Sequence, residues 1–142
     1  MNWIDEFRYR WFNYCPFDQA IPIITKNNKN YWVFLDDDPP FQINVSQYGK
    51  SCGLMKVNWR DNEIELCEIT IFKKYRRNGL GTAFLKWLIS YARQKNVSMI
   101  WGIVAPQNGL DFTQVMNWYL NNGFHRKSPE SKVIIFDLRH ND

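Results

Sequence analysis

Arg76, Arg77, Asn78, Gly79, Leu80, Gly81 and Thr82 are the residues whose types and spacing best suit chemistry, and they run consecutively from a strand-like stretch into a helix-like one. Gly79 and Gly81 let the backbone turn tightly and leave its N–H groups open to a close approach. A helix that starts at or near Gly79 has unpaired N–H groups in its first turn and the positive end of its dipole in the same place. That combination holds anions, phosphate above all. Lys73, Lys74, Arg76 and Arg77 add charge at its mouth.

Other groups lead nowhere. Residues 44–51 end in Gly49, Lys50 and Ser51, but Asn44 stands where a phosphate-binding loop needs glycine, and the stretch joins two strands, so it reads as a hairpin turn. His125 and His140 have no partner at metal-ligand spacing and the cysteines form no Cys-x-x-Cys, so no metal is expected. No serine sits in a nucleophile-elbow context.

The elements that must position the loop follow from periodicity. Residues 3–14 carry Trp3, Ile4, Phe7, Trp11 and Tyr14 at helical spacing; the stripe reads as core, with a membrane-surface or partner-binding face as the alternative, and Pro16 stops the helix. Residues 20–25 and 31–35 are short β runs around a turn at 26–30. Asp36, Asp37 and Asp38 precede two prolines; the run reads as a solvated turn, or as an acidic rim that mildly favours a cationic acceptor. Residues 41–47, 52–59 and 63–72 form a meander. A helix over 79–95 follows, with Leu80, Phe84, Trp87, Leu88 and Tyr91 on one stripe. A strand covers 97–105, and Asp111 with Gln114 opens a helix to about residue 121 through a capping box. A hairpin of 124–128 and 132–138 closes the chain. The fold class is α/β (α+β): a mixed, antiparallel-rich sheet with helices on its faces, in a single domain over 1–142.

Composition bounds the rest. The chain has 142 residues, 45% hydrophobic and 17% aromatic, enough for one domain with its own core. No apolar run approaches the roughly 20 residues of a membrane span. The start is not that of a signal peptide, and Cys15, Cys52 and Cys67, an odd number at wide spacing, fit a reducing compartment. A cytoplasmic protein is expected. A net charge of +4 permits an acidic ligand without demanding nucleic acid, since the densest basic cluster already serves the loop. No nucleic-acid or membrane partner is expected.

The run from Arg76 to Gly81 resembles the Q/R-x-x-G-x-G/A signature of the GNAT superfamily of acetyl-CoA-dependent N-acetyltransferases. The strand 64–72 is similar to that family's fourth strand. Trp118, Tyr119, Leu120, Asn121, Asn122, Gly123 and Phe124 resemble its second signature, a helix with tyrosine four residues before a Gly-Phe pair. The resemblance covers roughly residues 41–138 and implies acetyl transfer from acetyl-CoA, without metal, to a small or protein amine, by a monomer or homodimer. It implies that the N–H groups of residues 77–82 hold the coenzyme's pyrophosphate, with the Thr82 hydroxyl assisting, and that the backbones of Ile69 and Ile71 pair with its pantetheine arm in a gap between splayed fourth and fifth strands. N–H groups near Ile71 would polarise the thioester carbonyl. Tyr119 would protonate the departing thiolate, a phenol of pKa about 10 sufficing.

Glu65 and Glu68 are candidates for the carboxylate that takes the amine's proton. Strand alternation puts them on opposite faces, an arrangement that a bulge, usual at this place in the family, would disturb. The sequence departs from the pattern in two places. Phe112 stands where the family often has asparagine, and the segment 106–111 reads as lengthened, so either Asn108 substitutes or the contact is absent; the N-terminal region (1–35) is a helix and hairpin rather than a strand and two helices. Two other readings fit the same residues. One is a non-catalytic interaction module of this fold, binding through its N-terminal helix. The other is a small inhibitor or toxin that acetylates one macromolecular target.

Overall fold

In a computed structural model, residues 2–15 and 19–139 are described; Pro16 and His140 lie outside them. Eight strands form one sheet in the order β1-β2-β3-β4-β5-β6-β8-β7. The strands β1 (Ile21–Ile24), β2 (Asn30–Leu35), β3 (Gln42–Gln47), β4 (Lys50–Arg60) and β5 (Glu63–Ile71) make a continuous antiparallel meander. Helix α2 (Leu80–Gln94) then crosses to β6 (Met99–Ile103), which runs parallel to β5. Helix α3 (Phe112–Asn121) leads to β7 (His125–Arg126), and β8 (Val133–Asp137) inserts between β6 and β7.

Both crossovers step the same way across the sheet, so their right-handedness puts α2 and α3 on one face. The Trp118 indole N–H of α3 accordingly donates to the Thr82 hydroxyl of α2 at 3.0 Å. Between them and the sheet lies the core: Val33, Val45, Met55, Ile69, Ile71, Leu80, Phe84 and Leu88 are buried. The Asp111–Gln114 capping box forms as expected, with both hydrogen bonds present.

Helix α1 (Trp3–Phe12) rests on the opposite face. Its contact is Tyr9, whose hydroxyl bonds to Ser46 and whose ring packs edge-on against Phe34; both partners alternate with the core residues Val33 and Val45. This corrects the expectation that the aromatic stripe is core. Tyr9 is the one buried residue of the helix, while Trp3 is 77% and Trp11 69% exposed, with Phe7 exposed beside them. The helix also stops early, at Asn13 in the left-handed region. The side chain of Asn13 accepts from the Tyr48 N–H and donates to the Asn30 carbonyl, so a polar residue anchors this end.

Candidate active site

Strand β5 ends at Ile71 and a single 3-10 turn, Lys73–Tyr75, delivers the chain to the loop. Gly79 caps α2 at φ 77° and Arg77 sits at φ 66°, so the chain turns back on itself before the helix begins. Among the described residues, the N–H groups of Arg77, Asn78, Gly79, Leu80, Gly81 and Thr82 donate to no protein acceptor. They form a row of backbone donors at the positive end of a 15-residue helix. The loop borders a cleft of about 660 Å³ whose lining includes Lys73, Arg76 and Arg77 and no carboxylate. Lys29 reaches the loop from the β1–β2 hairpin, its ammonium donating to the Asn78 side chain at 3.0 Å. Thr82 accepts from Trp118, which leaves its own proton to donate to a ligand.

The cleft continues into a gap in the sheet. Pairing of β5 with β6 ends at Leu66 and Gly102. Beyond that point β5 runs on to Ile71, while the Val104 N–H pairs with the Lys132 carbonyl on the far side. The expected splay of the family's fourth and fifth strands is therefore present, as β5 and β6 of this longer sheet. Ile69 and Ile71 present their backbones along the free edge. Their groups are engaged by side chains: Asn108 accepts from the Ile71 N–H at 2.8 Å and donates to the Ile69 carbonyl at 3.0 Å, and Arg76 donates through Nε to the Ile71 carbonyl at 2.8 Å.

Tyr119 is buried on α3, its ring between Trp118 and Phe124. Burial pushes its hydroxyl up to about 12, against a smaller opposing influence of the Gln107 side chain. Gln107 lines the cleft, and so do Val115 and Trp118 of the same helix. Tyr119 itself lies behind them and does not line the cleft. Sequence reasoning missed Gln107 and the Trp118–Thr82 bond, since neither residue type nor spacing announces them.

Glu65 and Glu68 are not on opposite faces. The register shifts at Lys56 and Val57, which pair with Glu68 and Leu66 and leave Cys67 as an unpaired extra residue. This bulge resets the alternation, so both carboxylates project from the face away from α2. Arg60 bonds Glu65 at 3.0 Å. Glu68 accepts from the Thr70 hydroxyl at 2.9 Å and faces Lys56 at 3.7 Å. The Glu65 side chain is 19% exposed and that of Glu68 45%. Trp101 pairs with Glu65, and its indole N–H is buried without an acceptor among the described residues.

The acidic turn does not rim this site. Asp38 accepts from the Tyr91 hydroxyl and from Lys95, at the C-terminal end of α2. The helix is about 22 Å long, and the loop of residues 76–82 lies at its other end. The Tyr91 hydroxyl, and after it Lys95, hold the Asp38 carboxyl below its usual range. Among the described residues no group of His, Cys, Asp and Glu is placed to hold a metal ion, and no helix is long and apolar enough to cross a membrane.

Solved structures with this arrangement of strands and helices are numerous. The PaiA N-acetyltransferase of Thermoplasma acidophilum, in complex with coenzyme A, aligns at a TM-score of 0.57 and 15% identity, over 68% of this chain and 59% of its own. The match thus spans less than two thirds of that enzyme. A GNAT acetyltransferase of Elizabethkingia anophelis with acetyl-CoA bound aligns at 0.58 and 16% identity, over 68% and 75%. The ribosomal-protein-S18-alanine N-acetyltransferase of Escherichia coli aligns at 0.56 and 20% identity, over 68% and 67%. These likenesses show the fold. No curated protein sequence matches the chain. The sequence profile of the Acetyltransferase (GNAT) family matches residues 2–124. With that match running over most of its length, the chain belongs to the GNAT family of acetyltransferases.

Proposed function

We propose that the protein transfers an acetyl group from acetyl-CoA to a primary amine by direct attack within a ternary complex. The observation that carries this reading is the row of unpartnered backbone donors from Arg77 to Thr82, placed where a parallel strand pair opens. A coenzyme with a pyrophosphate at one end and a narrow amide-bearing arm fits both features. The cations Lys73, Arg76 and Arg77 match its charge. Structural neighbours hold coenzyme A or acetyl-CoA.

The chain's groups then take definite roles. The N–H groups of residues 77–82 and the Thr82 hydroxyl hold the pyrophosphate. The β5 edge at Ile69 and Ile71 aligns the arm. The Ile69 N–H, on the edge facing the gap, is placed to polarise the thioester carbonyl. Glu65 or Glu68, directly or through water, takes a proton from the acceptor's ammonium on the face away from α2, which frees the neutral amine to attack. Tyr119 donates a hydrogen bond to the departing thiolate. A hydroxyl at about 12 is a weaker acid than an alkyl thiol. Complete transfer from it is therefore uphill, and hydrogen-bond donation is the larger part of its role.

Calorimetric titration with acetyl-CoA, using 3′-dephospho-CoA and ATP as controls, tests the reading. Selective binding of acetyl-CoA supports it, and no binding removes it. Acetylation assays on small amines and on whole lysate then separate a small-molecule acceptor from a protein one.

A further inference from the structure

The side chain of Asn108 makes the pair of hydrogen bonds that an incoming amide would make with β5. Its oxygen takes the Ile71 N–H and its nitrogen gives to the Ile69 carbonyl, at 2.8 and 3.0 Å. A carboxamide carries the same acceptor and donor as a backbone amide or an amide of a pantetheine arm. These ligands therefore compete with Asn108 for the same two groups.

The surrounding loop is built as a compact unit. Gln107 and Leu110 bond each other's backbones in both directions, at 3.2 and 2.8 Å. Between them Asn108 and Gly109 both stand in the left-handed region, at φ 54° and 79°. A side-chain carbon on Gly109 would come 3.2 Å from the Arg76 guanidinium, so the loop packs closely on the residue that holds the Ile71 carbonyl. The loop thus touches both Arg76 and the strand edge at Ile69 and Ile71.

We propose that Asn108 is a gate on the cofactor arm. Its carboxamide stands in for the arm's amide on the β5 edge, and the arm enters by exchanging with it as residues 107–110 move aside. This rests on the acetyl-CoA reading, and it assigns to Asn108 a competing role in place of a gripping one. The exchange replaces two hydrogen bonds with two, so it slows entry and subtracts from affinity without forbidding binding.

Stopped-flow and calorimetric binding to wild type, Asn108→Ala and Asn108→Asp test the gate. The two probes are acetyl-CoA and adenosine 3′,5′-bisphosphate, which lacks the arm. Asn108→Ala is expected to tighten acetyl-CoA about tenfold, the scale of one to two net hydrogen bonds, chiefly through faster association. Binding of the bisphosphate stays unchanged. Asn108→Asp keeps the acceptor and loses the donor, so it falls between the two. Weaker acetyl-CoA binding in Asn108→Ala with unchanged bisphosphate binding overturns the gate and makes Asn108 a ligand of the arm. Equal acetyl-CoA binding overturns it too. If neither probe binds any of the proteins, the coenzyme reading itself falls and takes the gate with it. Amide exchange on the wild type guards against a poorly folded variant. The Ile71 N–H is expected to be protected before ligand is added, and fast exchange there would remove the contact on which the gate depends.

Discussion

Glu65 and Glu68 project from the same face of β5 although they are three residues apart, because Cys67 between them is the extra residue of a bulge. An unbroken strand would have hidden one of them under α2. The bulge lies one residue past the last β5–β6 pair, so it also bends the strand where the gap opens. Both carboxylates are thus available to an amine approaching from the open face. The double variant Glu65→Gln/Glu68→Gln is expected to lose about 10²–10⁴ in kcat. Each single variant then apportions the loss. Full activity in the double variant would leave deprotonation to water alone.

Gly79 and Gly81 should fail in different ways. Gly79 holds φ 77°, and a side chain there is strained even though its nearest neighbour would be 3.7 Å away. Gly79→Ala is expected to cost about 1 kcal/mol or more of stability, read as a lower Tm. Gly81 is helical, and an added methyl would meet Trp118 and Ile71 at ordinary contact distances of 3.6 and 3.8 Å. Gly81→Ala is expected to keep or slightly raise the Tm, since alanine is the better helix former. On the proposed coenzyme reading it should nonetheless weaken acetyl-CoA binding, because the methyl narrows the cleft beside Trp118 and Ile71. Unchanged affinity in Gly81→Ala would move the phosphates elsewhere.

The tight turn over residues 76–82, the meander, helices α2 and α3 and the capping box of α3 were legible because each is written in local spacing: glycines at a strand–helix junction, alternation, and a 3.6-residue stripe. What was not legible depends on partners far along the chain. The aromatic stripe of α1 has core periodicity, yet Ser46, Phe34 and the Asn13 anchor decide that only Tyr9 is buried. The shared face of Glu65 and Glu68 depends on a register shift against β4, which no feature of β5 alone encodes. Asn108 could be named as a polar residue in the right loop. That its amide reaches Ile69 and Ile71 is a tertiary fact.

Tyr119→Phe separates hydrogen-bond donation from full proton transfer. Loss of one hydrogen bond to a charged group costs about 10–100-fold in kcat, at the low edge of what a lost general acid would cost. With its hydroxyl raised to about 12, Tyr119 keeps its proton well past the ordinary 10.0. The wild-type rate should therefore show no fall attributable to this group as pH passes 10.0. A basic limb centred near 10.0 that vanishes in Tyr119→Phe would mean that the phenol ionises normally when the site is in use.

The same burial sets an alkaline limit on the fold. Burial raises the Tyr119 hydroxyl from 10.0 to about 12 and the Cys52 thiol from 9.0 to about 11. Raised values mean that the folded protein keeps these protons where the unfolded chain has begun to lose them. Their contribution is therefore whole below the unfolded values and is lost as pH rises, between 9.0 and about 11 for Cys52 and between 10.0 and about 12 for Tyr119. Within its window each group removes about 1.4 kcal/mol per pH unit, so the decline should steepen above 10.0, where the windows overlap. Urea midpoints measured across this range read the effect directly. Cys52→Ala is expected to lower stability at neutral pH, by opening a cavity in a fully buried site, yet to flatten the first part of the alkaline decline. A variant whose midpoint falls as early as that of the wild type would place the first proton release at another group.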